Sequence, residues 1–98
     1  MTVGKITKAD LLDAIYEKSG ANREDVLKVV NSFIEELRNA LVSNKTIELR
    51  GFGTFEIRTR KGREKARNPK TGETVSVSSH KVVAFRSGRD LKRDVWYL

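Results

Sequence analysis

Arg58-Thr59-Arg60-Lys61-Gly62-Arg63-Glu64-Lys65-Ala66-Arg67-Asn68-Pro69-Lys70-Thr71-Gly72 is the stretch on which the reading of the chain turns. Seven of its residues are basic, one is acidic, and none carries a large apolar side chain. A segment of that composition has nothing to bury, so it cannot line a core. It also contains a turn signal, Asn68-Pro69-Lys70-Thr71-Gly72, in which proline presets φ and glycine supplies a permissive backbone. Strand-like sequence lies on both sides. The segment therefore predicts a two-stranded ribbon projecting from a sheet, running out from Arg58 to Arg67, turning at 68–72 and returning from Glu73. Arg58 and Arg60 share one parity, whereas Arg63, Lys65 and Arg67 share the other. A strand alternates faces at every residue, so one face can hold all five cations only if the register slips once. Lys61-Gly62 is the expected place for that β-bulge, because glycine tolerates the backbone.

Just upstream, Thr46-Ile47-Glu48-Leu49-Arg50 and Thr54-Phe55-Glu56-Ile57-Arg58 each alternate with period two around Gly51-Phe52-Gly53, the pattern of a hairpin. Downstream, Thr74–Val77 and Lys81–Phe85 read as further strand. The N-terminal half has helical periodicity instead. Thr7 and Asp10 form a capping-box pattern ahead of Leu11, Leu12, Ile15 and Tyr16, and Gly20 is placed to end that helix, predicted over 8–19. Asn22 and Asp25 repeat the pattern before Val26, Val29, Val30, Phe33, Ile34, Leu37 and Leu41, an amphipathic helix predicted over 23–43. A last short helix is expected over 88–95. The resulting order, ααβββα, is α+β: a helical hairpin, a three-stranded antiparallel sheet with a long β-ribbon arm, and a short C-terminal helix. One domain is expected, with 1–57 and 76–98 as its body and 58–75 as the arm.

Charge sharpens the functional reading. The 98 residues carry a formal charge of +7. Residues 1–49 hold seven basic and eight acidic side chains, whereas 50–98 hold thirteen and five. That asymmetry points to a polyanion bound by the second half. Catalysis is not expected. The chain has no cysteine, and its single histidine, His80, has no second histidine with which to hold a metal. Asp10 and Asp13 read as helix-start charges, and Gly51-Phe52-Gly53 precedes a strand where a phosphate-cradling loop would precede a helix. No cofactor, metal or small-molecule substrate is expected. No apolar run approaches the ~20 residues of a membrane span, and residues 1–5 show no apolar leader core. A cytoplasmic protein with no membrane partner is the expectation. An RNA-binding or ribosome-associated protein is the main rival, although an aromatic RNA-recognition signature and a GXXG loop are both missing.

Gly51-Phe52-Gly53-Thr54-Phe55, then Arg60, Arg63 and Ala66, then Arg67-Asn68-Pro69-Lys70-Thr71-Gly72, resembles the arm signature of the bacterial HU/IHF family of histone-like proteins. The resemblance extends through the helical hairpin, the sheet and the Phe85-Arg86-Ser87-Gly88 junction to the last helix. It implies an intertwined homodimer, nucleoid-associated, whose two arms enter the minor groove of double-stranded DNA, bending and compacting it with weak sequence selectivity. Pro69, a turn former on its residue type alone, becomes by resemblance the intercalating wedge. Arg58, Arg60, Lys61, Arg63, Lys65, Arg67 and Lys70 would meet phosphates or line the groove, with Asn68 and Thr71 hydrogen bonding near the tip. Lys8, Arg50, Lys81, Arg86, Arg89 and Lys92 would contact DNA from the body. Phe52, Phe55 and Phe85 would meet between subunits, each ring worth roughly 1.5–3 kcal/mol when removed from water. Two features depart from the pattern. Glu64 places an acid among the bases, and Phe55 and Pro69 stand one residue further apart than in many members. The C-terminal Trp96 is expected to pack as a cap on the core, with a base-stacking platform as the alternative.

Overall fold

The computed structural model describes residues 4–98, except for the side chains of Arg63, Glu64, Lys65, Ala66, Val75 and Val77. The elements are α1 (Lys8–Ser19), α2 (Arg23–Val42), β1 (Ile47–Leu49), β2 (Gly53–Arg60), β3 (Arg63–Arg67), β4 (Thr74–Val77), β5 (His80–Ser87) and α3 (Arg89–Val95). The chain falls into two compact units, Met1–Arg38 and Asn39–Leu98.

Local chemistry sets the helix ends. The Asp10 amide donates to Thr7 Oγ1 at 3.4 Å and the Thr7 amide donates to Asp10 Oδ2 at 2.9 Å, a reciprocal capping box. The hydrogen bond from the Thr7 amide, followed by that from its hydroxyl, holds the Asp10 carboxyl below its ordinary range. Gly20 ends α1 at φ +71°, its amide bonded to the Tyr16 carbonyl. The Asp25 amide donates to Asn22 Oδ1 at 2.8 Å at the start of α2. At the other end of α2, Asn44 adopts φ +59°. Its amide reaches the Leu41 carbonyl while the Lys45 amide reaches Ala40, the paired bonds of a Schellman ending. In the first unit, Arg23 bonds Asp13 at 3.0 Å and lies over the Tyr16 ring at 4.4 Å, so one guanidinium ties the start of α2 to α1.

In the second unit, β1, β2 and β5 form an antiparallel sheet in that order, and β3 and β4 form a separate two-stranded ribbon. The turn into β2 depends on glycines. Gly51 takes φ +85°, with the Phe52 amide bonded to the Leu49 carbonyl. At Gly53 an added Cβ would lie 2.5 Å from Phe85 Cζ and 2.6 Å from the Arg86 carbonyl oxygen, so only glycine fits. The Gly88 amide then bonds the Phe52 carbonyl at 2.8 Å, seating the start of α3 on this turn.

Register corrects the expected bulge. Arg60 faces His80 and Arg63 faces Val77, with two residues between them on each strand, so the pairing breaks at Lys61-Gly62 without an extra residue. The slip comes further out. Arg63 faces Val77 and Ala66 faces Val75, which sets Glu64 and Lys65 against Ser76 alone. A one-residue excess in one strand must be taken up as a bulge, or every residue beyond it changes face.

The described residues scarcely form a core. Among the described residues only one hydrophobe is buried, Val26 at 6% exposure. Leu27, Val29, Phe33, Ile34, Val42, Phe52, Val83 and Phe85 all stay exposed. Large apolar side chains left open in each unit mark faces made to be covered.

Candidate nucleic-acid interface

Residues directly opposite one another in an antiparallel pair share a face. One face of the body sheet therefore carries Glu48, Thr54, Glu56, Arg58 and Arg60 with their β5 partners Arg86, Ala84, Val82 and His80. The other carries Ile47, Leu49, Phe55 and Ile57 with Phe85 and Val83. The first face is polar and basic, the second apolar. On the apolar side the Phe85 ring lies 4.8 Å from Phe55 and 5.4 Å from Phe52, both tilted at 48°. The three phenylalanines expected at a subunit interface thus already gather in one chain, yet Phe52 and Phe85 remain 48% and 43% exposed.

The cation stripe continues into the ribbon. Arg67 faces Thr74, on the same count along the return strands as Val82 opposite Arg58 and His80 opposite Arg60. By count, the slip at Glu64–Lys65 returns Arg67 to the parity of Arg58 and Arg60 on the far side of the break at Lys61-Gly62. Arg63 pairs with Val77 on the opposite count; the side-chain roles expected of Arg63 and Lys65 lie outside the described residues. No carboxylate stands directly across the ladder from Arg58, Arg60 or Arg67.

The tip is well defined. The Asn68 amide donates to the Glu73 carbonyl and the Gly72 amide to the Asn68 carbonyl, both at 2.7 Å. Asn68 Oδ1 accepts from the Lys70 amide at 2.9 Å, and Thr71 Oγ1 accepts from the Glu73 amide at 3.3 Å. The two polar side chains expected to serve a ligand therefore also shape the turn. Pro69 and Lys70 stand exposed at its end. At the root, Ser79 Oγ donates to the Arg60 carbonyl at 3.3 Å and His80 Nδ1 donates to the Ser78 carbonyl at 3.0 Å, where the backbone ladder is broken.

The remaining expected contacts are placed as follows. Arg50 is exposed in the turn after β1, Lys61 at the ribbon root, Arg86 on the basic face, and Arg89 and Lys92 on α3; Lys8 opens α1 in the other unit. Lys81 differs from them. It shares its count with Val83 and Phe85, and its Nζ donates to Thr59 Oγ1 at 2.9 Å on the apolar side. Trp96 does not cap a core within the chain: it is 63% exposed, with Lys92 Nζ 5.7 Å from the ring centroid.

One member of the site was not anticipated. Glu56 Oε1 accepts from both Arg58 Nε at 3.0 Å and Arg58 Nη2 at 2.7 Å. This bond holds the Glu56 carboxyl below the ordinary glutamate range; slight desolvation opposes it, and the charges of Arg58 and Arg86 add to it. The signal was available, because residues two apart on a strand share a face. Glu56 thus competes with any incoming phosphate for Arg58. Glu56→Gln is expected to tighten polyanion binding and to steepen its salt dependence by up to about one counterion. Titrations at several salt concentrations check this; an unchanged slope would mean that Arg58 does not engage the ligand. The pH dependence has a definite sign. A lowered carboxyl pKa gives a contribution present above the unfolded value and lost as pH falls through the folded one, so the clamp on Arg58 opens only in the acid range.

Comparison with known proteins agrees with this geometry. The family model described as bacterial DNA-binding protein matches residues 6–95. The integration host factor subunit alpha of Pseudoalteromonas translucida is 46% identical over 90 residues, covering 92% of this chain and 90% of that protein. The same subunit from Marinobacter nauticus is 43% identical over 90 residues, covering 92% and 89%. Among solved structures, an Anabaena HU in a cocrystal with DNA superposes with a TM-score of 0.84 at 33% identity, covering 95% of this chain and all of that one. An HU variant from Thermotoga maritima gives 0.68 at 28% identity, covering 92% and 99%. A basic ribbon on an apolar-backed sheet, matched along nearly its whole length, places the chain in the family of bacterial DNA-binding proteins that includes HU and the integration host factor.

Proposed function

We propose that two copies of this chain pair through their apolar faces and clasp double-stranded DNA between their β3–β4 ribbons, bending it without catalysis and without a cofactor. The observation that carries this reading is the register of the ribbon. Arg58, Arg60 and Arg67 stand on one count, with no acid across the ladder, on a two-stranded element that has no interior of its own. Such a stripe follows a phosphate backbone, and its affinity comes from released counterions. The Anabaena HU whose fold this chain shares was crystallised with DNA, which supports the same ligand here.

In this reading residues 1–98 act as one domain. Phe52, Phe55 and Phe85 close the dimer together with the exposed face of α2. An apolar cleft of about 440 Å³ lined by Leu41, Val42, Ile57 and Val83 adds to the surface that a second copy fills. Pro69 enters the minor groove and opens a base step, at the cost of roughly a few kcal/mol known for minor-groove proteins of this class, HU and IHF among them. Lys61, Arg63, Lys65, Lys70, Asn68 and Thr71 contact the groove and its phosphates, and Arg50, Arg86, Arg89, Lys92 and Lys8 extend contact along the body. Groove width and deformability set preference, because the minor groove distinguishes sequences poorly. The protein works on the nucleoid in the cytoplasm.

Competition tests this function. Kinked and nicked duplexes should displace labelled linear duplex at lower concentration than RNA or heparin fragments of equal charge; RNA winning would favour the ribosome-associated alternative. Arg67→Ala should weaken binding across sequences alike and reduce the salt slope by about one. An unchanged slope would remove Arg67 from the stripe.

A further inference from the structure

We propose that Arg89, Lys92 and Trp96 form a separate contact for an unpaired nucleotide of DNA, with the indole under the base and the two cations on the strand's phosphates; this rests on the DNA-binding reading above. Trp96 continues the helical backbone of α3 (φ −54°, ψ −37°), so residues 89, 92 and 96 lie along one stripe at i, i+3 and i+7. The charges on this helix are unequally balanced. The Arg93 guanidinium is held by Asp90 at 3.6 Å and Asp94 at 3.5 Å, whereas no carboxylate partners Arg89 or Lys92 among the described residues. The two cations on the tryptophan stripe are therefore the uncompensated ones.

Lys92 Nζ lies 5.7 Å from the indole centroid, close to the outer limit of a cation–π contact, and both groups face solvent. A phosphate can draw the ammonium away and leave the ring face open. An exposed aromatic ring beside unbalanced cations is the composition of single-strand sites, where bases stack on the ring and the backbone follows the positive charge. An intact duplex offers no base face to such a platform, so the ligand is an unpaired segment: a gap, a flap or a single-stranded end. The basic stripe on β2 and the ribbon takes paired DNA; Arg89 and Lys92 hold phosphates there as well, and Trp96 adds the contact that only an unpaired base can make.

Trp96 is the only tryptophan in the chain, so its emission reports on the site without a label. The full-length protein is titrated with oligothymidylate and, separately, with a duplex closed by hairpins at both ends, whose binding is followed by anisotropy. Oligothymidylate should quench the emission, and the closed duplex should bind with little quenching. Trp96→Ala should weaken oligothymidylate binding roughly 5- to 150-fold, the range for one stacked base, and leave closed-duplex binding unchanged. Trp96→Phe should restore part of the loss. Arg60→Ala should do the reverse, weakening the closed duplex more than the oligonucleotide. Absence of quenching, or equal loss of both ligands in Trp96→Ala, would overturn the proposal while leaving the ribbon reading intact. So would emission from the free protein that is blue-shifted and moves to the red on dilution, since a second copy would then cover Trp96. Failure of the wild type to bind closed duplex would instead strike the ribbon reading.

Discussion

Phe85→Ala is expected to cost each chain about 3–5 kcal/mol, the usual range for emptying a buried phenylalanine site, and so to leave mostly unfolded protein at micromolar concentration. The ring is the hub of the aromatic cluster, touching both Phe52 and Phe55. On its own subunit it is only partly covered, so most of the expected loss depends on a second copy completing the site. Burial of a few apolar side chains is comparable to the whole stability of a small domain, and with Val26 the one buried hydrophobe among the described residues there is no reserve. Urea unfolding at two protein concentrations measures both effects. The wild-type midpoint should rise with concentration, as linkage to assembly requires, and the variant should unfold at far lower urea. A variant within about 1 kcal/mol of wild type would mean that the ring is no part of an interior, since surface changes usually fall within about half that.

Gly53→Ala is the second large effect. Its Cβ would fall 2.5 Å from the Phe85 ring and 2.6 Å from the Arg86 carbonyl oxygen. The backbone cannot move aside easily, because Gly53 pairs with both Leu49 and Ser87. Either the ring leaves its stack or the sheet parts. Overpacking of this kind costs about 1–3 kcal/mol, and about 3 kcal/mol in a domain of this size corresponds to a melting temperature lower by roughly 12–24 °C. Calorimetry or near-ultraviolet circular dichroism of the variant checks this. A melting temperature within about 3 °C of wild type would show that the turn has slack that the geometry denies.

Much of this fold was legible before any coordinates, for reasons tied to individual residues. Thr7, Asp10, Gly20, Asn22 and Asp25 each have one helix-ending role available, and all perform it. The strands announced themselves by alternation around Gly51 and Gly53, and the ribbon by what it lacked. Residue type misplaces some features that pairing and parity place. The bulge was expected at Gly62 because glycine is permissive, but a bulge whose first residue sits near the helical region needs no glycine. Its place is fixed by the pairing across it, which one strand's sequence does not contain. Parity also sets Lys81, on the count of Val83 and Phe85, apart from Arg58 and Arg60. Glu56 lies outside the arm, and only its parity with Arg58 on β2 reveals that the two meet. Trp96 is expected to cap a core, and the described residues of one chain offer almost none to cap.

The central claim is that the basic ribbons hold duplex DNA and bend it. It is tested most directly by energy transfer between dyes at the two ends of a short duplex, with anisotropy of the same sample reporting occupancy. Saturating wild-type protein should shorten the end-to-end distance, and Pro69→Ala at equal occupancy should restore much of it. A duplex that is fully bound and keeps its free length would contradict the account.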